Sequence, residues 1–404
     1  MGFSLIRQEP DFRRLWLAQF LAFIGEGIFQ IALVWWLIQK TGSGTLVGLI
    51  MSVSFLPAVL VGPFAGTFAD RLPPKWLLVG ADLLRSAMVL GVALLAAVDQ
   101  LAVWHLFVLC GLLSAAGVFH SPTTLAVIPR VVPEKRLEEA MALHTIVRDL
   151  AKLVGPAIGG TIMAFSSVSL AFSVHAVSLL FSAILIFGMH LAERPAHEGT
   201  ESVLDQLREG IRYVRGHRVL LEMLLGFSTL NLFVVPIVVL LPLTVARLLG
   251  KGSVELGLSE GALALGSVTT GLLFGRLFRG IPTSKLVVRS LAFSGFLFVG
   301  FALNRWFYTF LGGLFLLGGC FTSVNVAMLT MFQLIVLPEM KGRFFALVET
   351  LSFAFFPLAM AAAGFLADAI GIPATYGICA SGILLLTARF SLIQGLSQID
   401  RKEA

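Results

Sequence analysis

Charge is the scarcest property of this chain. Lys, Arg, Asp and Glu make up 13% of its 404 residues, against 57% hydrophobic residues and a mean hydropathy of +0.93. A soluble chain of this length carries about twice that share of charge, so the composition is that of a membrane protein. A nucleic-acid face is excluded as well, because 29 Lys and Arg exceed 23 Asp and Glu by only +6, an excess suited to lipid headgroups. Cysteine is nearly absent. Cys110, Cys320 and Cys379 each sit in an apolar run without a close Cys or His, which excludes a disulfide framework and a zinc site and leaves packing residues. The first ten residues, MGFSLIRQEP, hold no apolar core, so no cleavable signal peptide is read there and the first long apolar run serves as a span. No nucleophile–base pair, metal-ligand set or phosphate-binding loop stands out, which speaks against a membrane enzyme.

Long apolar runs are what the chain has instead. Crossing ~30 Å of hydrocarbon takes about 20 apolar residues in a helix, and twelve such runs recur, from Leu15 to Ile38 at one end to Ala374 to Ile393 at the other. The expected fold class is an all-α membrane protein with twelve transmembrane helices. With both termini inside, twenty-one basic residues fall on cytoplasmic ends and loops and four, Lys40, Arg247, Lys251 and Arg305, on outer loops; the reverse orientation inverts that bias. The longest polar stretch divides the chain into residues 1–191, a linker at 192–218, and residues 219–404. Within the linker Val203, Leu207, Ile211 and Val214 recur at helical spacing among charged residues. That pattern predicts an amphipathic helix on the inner membrane face, either a tether between moving halves or a plain connection.

The two halves superimpose at an offset of 205 residues: Gly66 falls on Gly271, Arg71 on Arg276, Pro133 on Pro338 and Glu134 on Glu339. Six spans repeated in parallel, joined by a long cytoplasmic link, resemble the major facilitator superfamily. That likeness implies two six-helix bundles related by pseudo-two-fold symmetry. The same register maps Glu26 onto Asn231 and His144 onto Glu349. In the superfamily those helices face a central cavity, so the resemblance places these polar groups around a common space.

Several motifs narrow the likeness. Gly66 followed by Asp70-Arg71 resembles the superfamily's loop motif after the second span, with Pro73 and Pro74 where Gly and Arg are usual. The stretches TGSGTLVG (41–48), LPAVLVGPFAGTFADR (56–71), GADLLRS (80–86), FHSPTTLAVIPRVVPEKRL (119–137), GPAIGG (155–160) and GRFFAL (342–347) are similar to the third drug:proton antiporter family, which includes macrolide efflux proteins and siderophore exporters. The resemblance spans almost the whole chain and is specific for family rather than cargo. It implies efflux driven by a proton gradient, without a cofactor, in a bacterial cytoplasmic membrane.

Glu26 stands about eleven residues into the first span, roughly 16 Å deep, where a carboxylate must face protein or water. Gln19, Glu26 and Gln30 share one helix face, at spacings of seven and four. A cavity glutamate there exchanges a proton for a cationic or amphiphilic cargo; its bland alternative is a structural hydrogen bond. Phe23 and Phe353, one turn from Glu26 and Glu349, are candidate cavity liners. Glu349 reads as a second proton site or as a partner holding Asp70-Arg71. Asp82 with Arg85, and Asp149 with Lys152, lie three apart and read as self-neutralising charge locks rather than carriers. His120 and His175 suit a proton relay but have no acidic neighbour in sequence, so packed histidines are the plainer reading. Gly155, Pro156, Gly159 and Gly160 combine a lost backbone donor with side-chain-free positions and predict a pliable, tightly packed fifth span; in the antiporter families this motif is associated with drug export.

The expected function is secondary export of hydrophobic or amphiphilic small molecules by proton antiport. The alternatives are a dedicated siderophore or metabolite exporter, a sugar or organic-acid importer, and a non-transporting receptor. The importer is disfavoured by scarce polar residues, with Asn231, Asn304 and Asn325 the only asparagines. Membrane lipid and a small-molecule substrate are the expected partners, with no nucleic acid, no metal and a monomeric state.

Overall fold

Proline and glycine punctuate the helices. Pro10 opens the first long helix, α2 (Pro10–Thr41), where its missing N–H costs nothing, and Gly42 closes it in the left-handed region at φ +61°, donating to the Ile38 carbonyl at 2.8 Å. Proline stands in the first turn of α4 (Pro74–Ala97), α16 (Phe356–Ala369) and α17 (Ile372–Ser391) in the same way. The computed structural model describes residues 3–69, 72–191 and 203–393, and the side chains of these except at 3, 63–69 and 203–207.

Among the described residues every regular element is helical. The short α1 (Phe3–Gln8) precedes α2. Then follow α3 (Gly44–Ala69), α4, α5 (Val103–Gly117) with α6 (His120–Val131), α7 (Leu137–Phe165), α8 (Val168–Phe187) and the linker helix α9 (Val203–Arg215). The second series is α10 (Arg218–Val234) with α11 (Ile237–Leu243), α12 (Ser253–Leu277), α13 (Thr283–Leu303), α14 (Phe307–Ile335), α15 (Lys341–Ala354) with α16, and α17. Among the described residues, eleven of the twelve expected spans are long and apolar enough to cross a membrane. The twelfth, α7, is 29 residues long, and Arg148, Asp149 and Lys152 near its middle set it apart.

Among the described residues three spans carry a short irregularity at which the backbone keeps right-handed helical angles. Val118 and Phe119 separate α5 from α6, Val235 and Pro236 separate α10 from α11, and Phe355 separates α15 from α16. Pro236 and Pro357 sit at two of these irregularities, where a proline leaves an upstream carbonyl unpaired. Pro57 and Pro156 interrupt nothing: α3 and α7 run through them.

Contacts divide the chain into two compact units, and the division does not follow the linker. The first holds residues 1–42, 53–200 and 251–261; the second holds 43–52, 201–250 and 262–404. Relative to a boundary at 191 and 219, the start of α3 and the start of α12 have changed places, and α9 belongs with the second unit. Close backbone approach explains the exchange. In the first unit the start of α12 lies on α7, where Ser253 Oγ donates to the Gly160 carbonyl at 2.8 Å and Gly257 abuts Pro156 and Ala157. In the second unit the start of α3 lies on α16, where Gly48 abuts Met360 and Gly364, and Ser52 Oγ donates to the Pro357 carbonyl at 2.6 Å. Small residues at such crossings let backbones touch.

The first unit's core at one end joins Leu5, Phe12 and Leu15 to Leu78, Val127, Ile128, Leu143 and Ile186. Arg136 ties α1 down there by donating to Ser4 and Gln8. The second unit buries an aromatic cluster of Phe298, Phe301, Phe310 and Tyr376, with ring centroids 5.0 to 6.1 Å apart along its contacts. Instead of lying free on a membrane face, α9 packs on α15: Glu209 pairs with Arg343, a Cβ at Gly210 would come within 3.1 Å of the Arg343 carbonyl, and Val214 is buried.

Candidate functional site

Exposed charge at mid-span in the first unit lies on α2 and α7. Two contacts set the register: the Phe23 and His144 rings lie 6.2 Å apart, and the Gly27 backbone meets Gly155 and Pro156. A Cβ at Gly159 would come within 2.9 Å of Ile28 Cα, so the glycines bring α7 against α2 as closely as two backbones allow. Between those levels stand Glu26 on α2 and Arg148 and Lys152 on α7, all three exposed. Lys152 lies in the electrostatic field of Arg148, Asp149 and Glu26. An ionisable group exposed at hydrocarbon depth must look onto protein-enclosed water, since lipid solvates it at a cost of at least about 2.5 kcal/mol.

The Gln19, Glu26 and Gln30 face is split. Glu26 and Gln30 are exposed, whereas Gln19 is 2% exposed and donates through Nε2 to Thr124 Oγ1 of α6 at 3.4 Å. One expected charge lock is corrected: Asp149 pairs with its neighbour Arg148 at 3.6 Å, not with Lys152. Lys152 makes no ion pair with Asp149 among the described residues and lies in the field of both Asp149 and Glu26. Glu260 joins this unit on the start of α12, level with Leu153 because Gly257 abuts Pro156 and Gly261 approaches Leu153. It is half-buried and has no hydrogen-bond or ion-pair partner among the described residues.

A second polar assembly lies inside the same unit. Asp82 is fully buried; its Oδ2 accepts from Ser182 Oγ of α8 at 2.6 Å, Arg85 Nη1 lies 3.7 Å from Oδ1, and His120 Nε2 of α6 lies 3.3 Å from Oδ1. His175 is 1% exposed and packs on the Phe29 ring at 5.3 Å.

In the second unit Asn231 is half-buried and donates to its own helix, Nδ2 to the Phe227 carbonyl at 3.3 Å. Glu349 is exposed, and Phe353, one turn on, meets the Phe356 ring edge-on at 5.1 Å. The most elaborate polar site of this unit is Asp368, at the end of α16. Its Oδ1 accepts from Gly44 N at 2.9 Å and Arg247 Nη1 at 2.8 Å. Its Oδ2 accepts from Ser43 Oγ at 3.1 Å and from Thr45 N and Oγ1, both at 2.8 Å. One carboxylate thus caps the N-terminus of α3, where free N–H groups and the helix dipole favour an anion. Gly66 falls within α3 at a position whose surroundings are outside the description, and Asp70 and Arg71 lie outside the described residues altogether.

Residues 2–404 match the family model of the transmembrane secretion effectors of the major facilitator superfamily. The chain belongs to that family. This effector is 24% identical over 399 residues to macrolide efflux protein A of Streptococcus pyogenes, covering 97% of this chain and 98% of that one. It is 25% identical over 372 residues to the multidrug efflux pump Tap of Mycobacterium bovis, covering 89% and 87%. Among solved structures it resembles the nucleoside transporter NupG, with a TM-score of 0.78 at 12% identity over 95% of this chain and 100% of that one. A bacterial homologue of the iron transporter ferroportin gives 0.74 at 16% identity over 95% and 98%. The structural likeness concerns the fold. Family and fold together make the effector a multi-pass membrane protein, an efflux transporter of the major facilitator type, and not an enzyme.

Three residues of the effector escaped the reading of its sequence. Glu260 carried a usable signal, an acid near the start of an apolar run, of the same kind that singled out Glu26. Asp368 reads from sequence as the first polar residue after a span, and Ser182 as one hydroxyl in a run; only the packing of separate helices gives either its role.

Proposed function

We propose that this effector exports hydrophobic or amphiphilic small molecules in exchange for protons, by alternating access, with Glu26 as the group that takes either a proton or the cargo. The observation that carries the reading is the exposure of Glu26 at mid-span on α2, with Arg148 and Lys152 exposed at the same level of α7. With Asp149 and Glu260 the acids of this region outnumber Arg148 and Lys152 by one, which suits a proton or a cationic cargo. The bias of basic residues supports both termini on the cytoplasmic side, with α9 inside and the α2–α3 turn outside, and the bacterial relatives support a bacterial cytoplasmic membrane. We take the working unit to be a monomer.

The test uses purified protein in liposomes with an imposed pH difference and a panel of macrolides, cationic dyes and siderophores. Wild type accumulates at least one cargo class against its gradient, and Glu26→Gln, which keeps shape and hydrogen bonding, does not. Equal accumulation by the two removes Glu26 from the coupling role. A second reading, export of one anionic metabolite, is favoured by Arg148 and Lys152 on the exposed side of α7; it requires that Lys152→Gln abolish transport of anionic members of the panel alone.

A further inference from the structure

Lys75 stands in the first turn of α4, at the end of the first unit that holds α1, and no carboxylate pairs with it among the described residues. Its Nζ donates at 2.8 Å to the carbonyl of Met189, just past the end of α8. The same atom lies 5.7 Å from the Trp76 ring centroid and 5.2 Å from that of Phe187. An ammonium has three donors, so the bond to Met189 leaves donors for an acceptor from outside. The two rings meet edge-on at 5.8 Å and are 55% and 57% exposed. Arg14 reaches the same helix end, with Nε 3.7 Å from where a Cβ of Gly188 would lie, but Asp11 neutralises it at 2.8 Å. The uncompensated charge of the cluster is therefore that of Lys75.

An apolar seam runs away from this charge. Ser182 Oγ on Asp82 Oδ2 at 2.6 Å and Ser86 Oγ on the Ala176 carbonyl at 2.7 Å set α4 and α8 antiparallel. That register brings Gly80 level with Ile184. Trp76, Gly80 and Leu84 recur every four residues on the exposed side of α4, and Ile184 and Phe187 lie three apart on the exposed side of α8. A Cβ at Gly80 would meet nothing within 4 Å, so the seam has a notch one turn in from the rings. Large apolar side chains exposed on spans meet hydrocarbon, and aromatic rings beside a cation at the end of a span sit at headgroup level.

We propose that the α4–α8 seam binds one anionic phospholipid, with its phosphate on Lys75 at the Trp76 and Phe187 rings and an acyl chain along Gly80. The carbonyl and the ring faces hold the ammonium in place without neutralising it, so its charge is available to a phosphate. A free anion gains nothing from the apolar seam, and a zwitterionic lipid brings its own cation beside the phosphate; an anionic phospholipid uses both parts of the site. The leaflet follows from the orientation proposed above, whereas the site is independent of the export reading.

Native mass spectrometry of the delipidated full protein, with phosphatidylglycerol or phosphatidylcholine of the same chains added back, reads lipid binding, and melting temperature in the same detergent is read in parallel. Wild type should retain phosphatidylglycerol in preference and be stabilised by it. Lys75→Gln should weaken phosphatidylglycerol binding about fivefold, the share of one basic residue near an anionic lipid surface, and Lys75→Arg should keep it. Trp76→Leu keeps the seam apolar but removes a ring face, and should weaken binding about twofold to fivefold. Lys135→Gln, at an exposed basic residue of the same unit, should match wild type. Equal phosphatidylglycerol binding by wild type and Lys75→Gln overturns the proposal, as does equal retention of the two lipids by wild type. A loss as large in Lys135→Gln overturns it too, since attraction is then diffuse. A mere cap on the end of α8 predicts that Lys75→Gln lowers the melting temperature by the same amount with and without lipid, and that result refutes a lipid site. Inorganic phosphate at millimolar concentration should leave the melting temperature unchanged; stabilisation equal to that by phosphatidylglycerol would make this a free-anion site instead. Should Lys75→Gln fail to fold, unchanged phosphatidylglycerol binding by Trp76→Leu overturns the proposal.

Discussion

Replacing Asp368 by Asn tests whether one side chain holds the start of α3 on α16. The carboxylate accepts five hydrogen bonds, two on Oδ1 and three on Oδ2. An amide keeps one oxygen and turns an NH2 group toward donors on the other side, so two or three of the five are lost whichever way it lies. Hydrogen bonds to a charged group contribute about 1.5–3 kcal/mol each. The Asp368 and Arg247 side chains are 29% and 27% exposed, and water near the site reduces this to roughly 1 kcal/mol per bond. The expected loss is about 2–3 kcal/mol, or roughly 30- to 150-fold in the local opening equilibrium. Amide hydrogen exchange reads that equilibrium directly for peptides containing Gly44 and Thr45, whose N–H groups are two of the donors. Protection there should fall by that factor in Asp368→Asn while peptides from α4 and α8 keep theirs. A change under about threefold would mean that the glycine crossing of α3 on α16 holds the contact alone, and the capping argument would be withdrawn.

Ser182→Ala removes the donor to Asp82 Oδ2 in a fully buried place and should cost about 1–3 kcal/mol, seen as a lower melting temperature in one fixed detergent. Tyr376→Phe loses only the 3.0 Å contact with Thr244 Oγ1, which also donates to the Leu240 carbonyl, so about 1 kcal/mol or less is expected by the same measurement. Glu260→Gln breaks no partnered contact and should leave the melting temperature unchanged or raised, while altering the dependence of transport on external pH; a clear drop in stability would reveal a partner for this acid.

Amino-acid order alone determined the solvent of this protein. Apolar runs of helical length, separated by Pro, Gly and basic residues, admit no other surroundings, because backbone groups in hydrocarbon must be satisfied within a helix. Those signals are local, and so the spans were legible. The same holds for Glu26, since a carboxylate in mid-span is conspicuous in one helix taken by itself. Tertiary structure decided which groups meet. His120 and Asp82 are 38 residues apart, on different spans, and nothing in either stretch signals the other. The spacing of Asp149 and Lys152 allowed a pair, but the side chain of Arg148 took the aspartate instead, a choice among rotamers that periodicity does not encode. Asp368 became a helix cap only when α16 met the start of α3. The exchange of helix starts between units was hidden for the same reason: a linker is visible as composition, whereas a compact unit is defined by which surfaces pack, and Gly48, Gly160, Gly257 and Gly364 chose those surfaces by having no side chain to keep them apart.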